Sequence, residues 1–237
     1  MAFATPAQLT AYIPGIRLGS NNTLTDTALQ ARIESEEQYI RIEAVRLGYS
    51  AAIPSSPSGT RTNRDYILEA LTLEPVASEL ILTVTPFVDP FWINTARQIE
   101  KHYLYSRSLY VTGKLYKVFT ATLPVTSFCT IDDVTPYMPG YVKTDTQAVP
   151  SQTRIEELIS RFSAIIHALC SYHGVNSTAL SSAQTVIVKT LVKELTAVTA
   201  LRTRGLRENN AFNTEAYYFA QNTYKTLDKF AARGFDL

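Results

Sequence analysis

Apolar residues in the second half of the chain recur in steps of three and four: Ile155, Leu158, Phe162, Ile165, Leu169 and Tyr172. That period is one face of an α-helix. Ser151 stands where an N-cap is wanted, and Gly174 where a left-handed residue ends a helix. The stretch "DTALQARIESEEQYIRIEAVRLG", residues 26–48, carries the same pattern. Laid on it at an offset of 125, Ile33 falls on Leu158, Ile40 on Ile165, Ala44 on Leu169 and Leu47 on Tyr172. Asp26 matches Ser151 as a cap, and Gly48 closes the helix as Gly174 does.

The match begins further upstream. "FATPAQLTAYIPGI" at 3–16 and "FCTIDDVTPYMPGY" at 128–141 share Phe3/Phe128, Thr5/Thr130, Thr10/Thr135, Tyr12/Tyr137, Pro14/Pro139 and Gly15/Gly140. Unrelated segments of this length share roughly one residue. Each copy predicts a short capped helix, with Pro6 at its first position and Thr5 and Gln8 forming a capping box. A Pro-Gly turn then leads to the longer helix. Residues 1–50 and 128 onward thus form an internal duplication of about 45 residues.

Between the copies the pattern changes. "AAIPSSPSGTRTNR" reads as a linker over 51–63. In "ELILTVTPF", Leu80, Leu82 and Val84 alternate with Ile81, Thr83 and Thr85, the period of a strand. "HYLYSRSLYVTGKLYKVFTATLP" reads as two β-rich runs turning at Gly113. "DYILEALTLEP" fits a strand or a helix, and "DPFWINTARQIE" favours neither. Residues 64–127 are therefore expected to be an inserted antiparallel β lobe. Beyond the second copy, Val188, Leu191, Leu195, Val198 and Leu201 mark a helix apolar nearly all round. Tyr217, Ala220, Tyr224, Leu227 and Ala231 mark a last one, ended by Gly234. The fold class expected is α+β: mainly a helical bundle, its core built by 1–50 with 128–237, carrying the β lobe as an insertion.

Composition adds little to this picture. The chain has 237 residues, 46% hydrophobic, with a net charge of +1, which demands neither nucleic acid nor an acidic membrane as partner. No apolar run reaches the roughly 20 residues a membrane span requires. The N-terminus lacks the pattern of a signal peptide. Cys129 and Cys170 have no redox or zinc spacing and read as free thiols. Fourteen tyrosines suit partly buried interfaces.

Catalytic chemistry is not legible. Phosphate-binding loops, nucleophile elbows and zinc-protease signatures are missing from the sequence. His102, His167 and His173 lack the carboxylates and spacing of a metal site. His167 is expected on a helix surface, and His173 at a helix C-terminus. Asp132 and Asp133 fit helix capping, and Glu34, Glu36 and Glu37 fit a solvated face. Arg202, Arg204 and Arg207 suit either the dipole of a helix C-terminus or contacts to phosphate or an acidic partner. Basic and aromatic residues also mix in "RSLYVTGKLYK", where a hairpin with an exposed face accounts for them. No catalytic residue, metal or cofactor is expected.

The order of elements, carried by "TIDDVTPYMPG", "TRIEELISRFSAIIHALCSYHG", "LVKELTAVTALRTRG" and "EAYYFAQNTYKTLDKFAARG", resembles the head–tail adaptor (connector) proteins of tailed bacteriophages. The resemblance covers residues 128–237, and 3–50 through the duplication, but not 64–127. It implies a structural neck protein of the virion, made in the host cytoplasm. Such a protein forms a homo-oligomeric ring, commonly a dodecamer, that joins the portal protein to the tail and continues the DNA channel. By position, Phe235, Asp236 and Leu237 would dock on the portal, and the β lobe would meet a further neck or tail protein. Double-stranded DNA would pass without specific binding, and no membrane is involved. The reading set against this one is a DNA-binding or packaging module that uses Arg202, Arg204 and Arg207.

Overall fold

The computed structural model of the chain describes residues 4–13, 25–48, 62–84, 90–115, 126–143, 148, 150–208 and 212–236. Helix α1 (Pro6–Tyr12) starts where the sequence sets its cap. Thr5 Oγ1 accepts from the Gln8 amide at 3.3 Å, while the Gln8 side chain accepts from the Thr5 amide at 2.8 Å. Helix α2 (Asp26–Arg46) is capped by the Thr25 hydroxyl, one residue before the expected Asp26. Helices α3 (Asn63–Val84) and α4 (Pro90–Val111) follow. The second half repeats the order: α5 (Ile131–Val134) runs into a 3-10 turn, Thr135–Tyr137, before α6 (Gln152–Tyr172), α7 (Ser182–Glu208) and α8 (Phe212–Arg233).

The expected β lobe is not found among the described residues. Among the described residues there is no strand, and the two clearest strand candidates lie in α3 and α4. "ELILTVTPF" falls mostly at the end of α3, where Leu80 and Ile81 are buried and Leu82 is exposed. Alternation over so few residues is also satisfied by a helix, and only the longer window from Ile67 shows the three-and-four step. Pro75 stands inside α3. A proline there removes a helical hydrogen bond and costs about 3 kcal/mol in a free helix. Burial of α3 against α1, α2 and α4 offsets that cost. Among the described side chains of α4, Ala96, Ile99, His102, Ser106, Leu109 and Tyr110 are buried, a helical stripe that the interleaved tyrosines obscure. Gly113 does have positive φ, 75°, but it follows a helix rather than turning a hairpin. Residues 116–124, the rest of that expected hairpin, lie outside the described residues, as does most of the expected linker.

The chain divides into two compact units, 1–120 and 121–237. Among the described residues each holds one short helix and three long ones. Helix α3 is central in unit 1, packing on α1, α2 and most extensively on α4. Helix α7 is central in unit 2, packing on α5, α6 and most extensively on α8. The duplication therefore extends through all four helices of each unit, not only the first two. Residues 63–111, read as an insertion, occupy the place that α7 and α8 occupy in unit 2.

The structure also moves the register of the long repeated helix by one. Both α2 and α6 have 21 residues, starting at 26 and 152, an offset of 126. Their buried positions then coincide: Leu29 with Ile155, Ile33 with Ile159, Glu37 with Ser163, Ile40 with Ile166, and Ala44 with Cys170. The closing glycines agree, with φ of 78° at Gly48 and 72° at Gly174. The short helices keep the offset of 125, so the second copy has one more residue in the connection between its two helices.

Side chains confirm the correspondence for the remaining helices. Gln8 on α1 donates to Glu69 on α3 at 3.5 Å, and Asp133 on α5 pairs with Lys189 on α7 at 2.7 Å. Glu74 on α3 meets His102 on α4, and Glu194 on α7 accepts from Thr223 on α8 at 3.1 Å. Positions on α3 and α7 thus correspond at an offset of 120, those on α4 and α8 at 121.

Candidate functional site

Residues singled out for docking or phosphate contact have different surroundings. Phe235 is half-buried and packs edge-on against Phe230, with ring centroids 5.1 Å apart. Asp236 is exposed, and Leu237 lies outside the described residues. Arg202 is only 3% exposed. Arg204 donates from Nη1 to the Pro139 carbonyl at 2.6 Å, tying α7 to the turn after α5. The Arg207 side chain lies outside the described residues. No shared basic surface of these three arginines emerges among the described residues.

The histidines are structural ties. His102 is buried beside Glu74, with Nδ1 2.6 Å from Oε1. His167, expected on a surface, is buried in unit 2 because segment 126–129 lies across that side of α6. Its Nε2 donates to the Thr126 carbonyl at 2.8 Å, so Nδ1 accepts from the Ser177 hydroxyl at 2.7 Å. Burial holds its pKa below the usual histidine range, keeping the ring neutral. Phe128 stacks over it at 4.3 Å. A hydroxyl beside an imidazole is the start of a nucleophile–base pair, but here the ring staples two loops to one helix. His173 is the C-cap residue of α6 and packs edge-on to Phe230 at 6.4 Å. Among the described residues no group of histidine, cysteine and carboxylate side chains is placed to hold a metal ion.

The acidic residues sort differently from the sequence pattern. The Asp133 carboxylate accepts from the Thr130 amide and hydroxyl at 2.9 and 3.1 Å. The Lys189 ammonium and these bonds hold its pKa below the usual range. Of the three glutamates expected on a solvated face, only Glu34 is exposed. Glu37 is 5% exposed, because it falls on the buried stripe between Ile33 and Ile40. Burial raises its pKa to about 7, against the opposing effect of Arg41. Glu36 is half-buried and also raised by burial, with Arg32 and Arg107 opposing.

Among the described residues, an open cleft of about 360 Å³ lies between α2 and α4 in unit 1. Tyr39, Glu43 and Arg46 line it from α2, and Leu104, Arg107, Ser108 and Val111 from α4. On each helix these positions follow steps of three and four, which place them on one side. The Arg107 guanidinium lies 4.4 Å from the centroid of Tyr39 and 5.9 Å from that of Tyr103, and donates from Nη2 to the Tyr39 hydroxyl. That hydrogen bond raises the Arg107 pKa further. Tyr39 donates in turn to Glu43 Oε1 at 3.4 Å. Glu43 Oε2 accepts from Arg46 Nε at 2.7 Å, and Arg46 Nη2 reaches the Val111 carbonyl at 3.1 Å. Reading 102–124 as strands hid this site; a helical reading sets Tyr103 and Arg107 one turn apart, an aromatic beneath a guanidinium.

No family model, curated protein or solved structure matches the chain.

Proposed function

We propose that the protein is a non-catalytic structural component of a phage neck, a head–tail adaptor that associates with copies of itself and with a portal ring. The observation that supports this reading is the tandem repetition of one four-helix unit. The element order that carries the adaptor resemblance is present in each unit, including the half that the resemblance had left uncovered. Repeated units suit assembly through repeated contacts, since one pair of complementary head-to-tail surfaces then serves at every position of a closed ring. Near-neutral net charge, +1, suits a channel component that does not retain passing duplex.

The ring expected from the resemblance is a dodecamer of chains. The test is the native mass of the purified protein, alone and mixed with a candidate portal ring. A stoichiometric complex that weakens in a Phe235→Ala, Asp236→Lys variant supports the reading and its docking end. A protein that ignores the portal overturns it.

A further inference from the structure

We infer that the α2–α4 cleft of unit 1 is a docking site for an acidic peptide segment of a partner protein, with Arg107 as its anchor. This goes beyond the neck reading and is tested without a portal. Arg107 is not within ion-pair distance of any carboxylate among the described residues, unlike Arg32, Arg46 and Arg154. Its Nη2 is committed to Tyr39, and the rings of Tyr39 and Tyr103 hold the guanidinium in place. Tyr103 also takes a hydrogen bond from the guanidinium; the N–H groups not taken by the two tyrosines keep a fixed orientation, from which a carboxylate can be received. The Ser108 hydroxyl lines the same space.

Charge and shape favour a peptide carboxylate over nucleic acid. Arg46 is already matched by Glu43, so the cleft offers one net positive charge rather than a basic run. Glu36 lies close enough to Arg107 for each to influence the other's ionisation, which further disfavours a dense polyanion. A volume of about 360 Å³ takes one or two side chains. Leu104, 51% exposed, lines the cleft, and the exposed Ile42 lies one turn from Tyr39 and Arg46 on α2. These supply apolar contact for the neighbours of an acidic residue.

The second unit shows that the cleft is a specialisation. At the corresponding positions Tyr39 is replaced by Ile165, Glu43 by Leu169 and Arg107 by Asp228. Ile165 and Leu169 are buried. Both units preserve the buried stripes and cross-helix ties of the fold, so the fold itself does not require Tyr39, Glu43 or Arg107. Their presence in one copy alone is what a recognition surface acquired after duplication would leave.

The test uses the full chain and a fluorescein-labelled random Glu–Leu copolymer peptide, read by fluorescence anisotropy. Binding is expected to weaken at least tenfold in Arg107→Gln, and several-fold in Leu104→Glu, which places a like charge at the cleft without touching the core. Arg97→Gln, an exposed site on the same helix outside the cleft, leaves binding unchanged. If circular dichroism shows Arg107→Gln unfolded, Leu104→Glu decides. The inference is overturned if the wild-type chain does not bind the copolymer, or if Arg97→Gln and Arg107→Gln weaken binding equally. Duplex DNA binding with a stronger dependence on Arg107 than the peptide shows would overturn it as well.

Discussion

His102 Nδ1 lies 2.6 Å from Glu74 Oε1 inside unit 1, where neither side chain reaches solvent. The pair joins the central helix to α4, and its counterpart in unit 2 is the bond from Thr223 to Glu194 at 3.1 Å. One polar tie has thus persisted at one place in two copies, with its glutamate retained and its partner changed.

Removing one member of the buried tie takes this hydrogen bond from the other at a place closed to solvent. Glu74→Ala is expected to destabilise unit 1 by about 2–4 kcal/mol. Glu194→Ala, which loses a hydrogen bond to a hydroxyl at a half-buried position, is expected to cost about 1 kcal/mol. Urea titrations followed by circular dichroism compare the two. The single tryptophan, Trp92, lies in unit 1, so its fluorescence follows that unit separately. Equal losses would contradict the difference in burial.

How much of this was legible beforehand depended on the length of each pattern. The capping boxes and the stripe from Ile155 to Leu169 were readable, because local hydrogen bonds and a long helical period leave strong marks. The third and fourth helices of unit 1 were not. Leu80 to Val84 is too short a run to separate two periods, and Pro75 stands inside a helix that packing carries through it. The wider duplication was hidden for the same reason. Between Leu71 and Leu191, or Tyr103 and Tyr224, scattered identities survive, but the correspondence lies in burial and in ties such as Gln8–Glu69 and Asp133–Lys189. The cleft was invisible because its residues come from two segments that only the helix packing brings together.

Glu37 makes stability depend on pH. Its pKa is about 7 in the folded chain against an ordinary value of 4.5. Between these values the folded state binds a proton that the unfolded chain has released, so stability falls as pH rises from 4.5 to 7 and then levels. The loss attributable to this group is about 1–3 kcal/mol. Glu37→Gln stays neutral throughout and should flatten that part of the curve. Urea midpoints at pH 5 and pH 7.5 for both proteins provide the check; parallel slopes would show that Glu37 is not the source.

Both thiols should be silent in the native protein. Cys129 and Cys170 are buried, and burial pushes their pKa values up to about 12 and about 11. The reactive thiolate is then scarce and shielded at pH 8. A chromogenic disulfide reagent is expected to label neither without denaturant and two per chain in 6 M guanidinium. Rapid labelling of one thiol in buffer would mean that its part of unit 2 opens readily.

Gly113 and Gly234 stand at corresponding helix ends, with φ of 75° and 64°, so a side chain at either is strained. Their surroundings differ. A Cβ at 113 meets nothing within 4 Å, whereas one at 234 lies 3.1 Å from His173 Cγ. Gly113→Ala is therefore expected to cost about 1 kcal/mol, the ordinary penalty of a left-handed alanine. Gly234→Ala adds an overpacking term of roughly 1–2 kcal/mol, because the imidazole is held by Tyr172 and Phe230 and has little room to move. A second substitution, His173→Ala, separates the two terms: in that background the penalty at 234 should fall to the value at 113. If it does not, the clash with His173 is not what distinguishes the two sites.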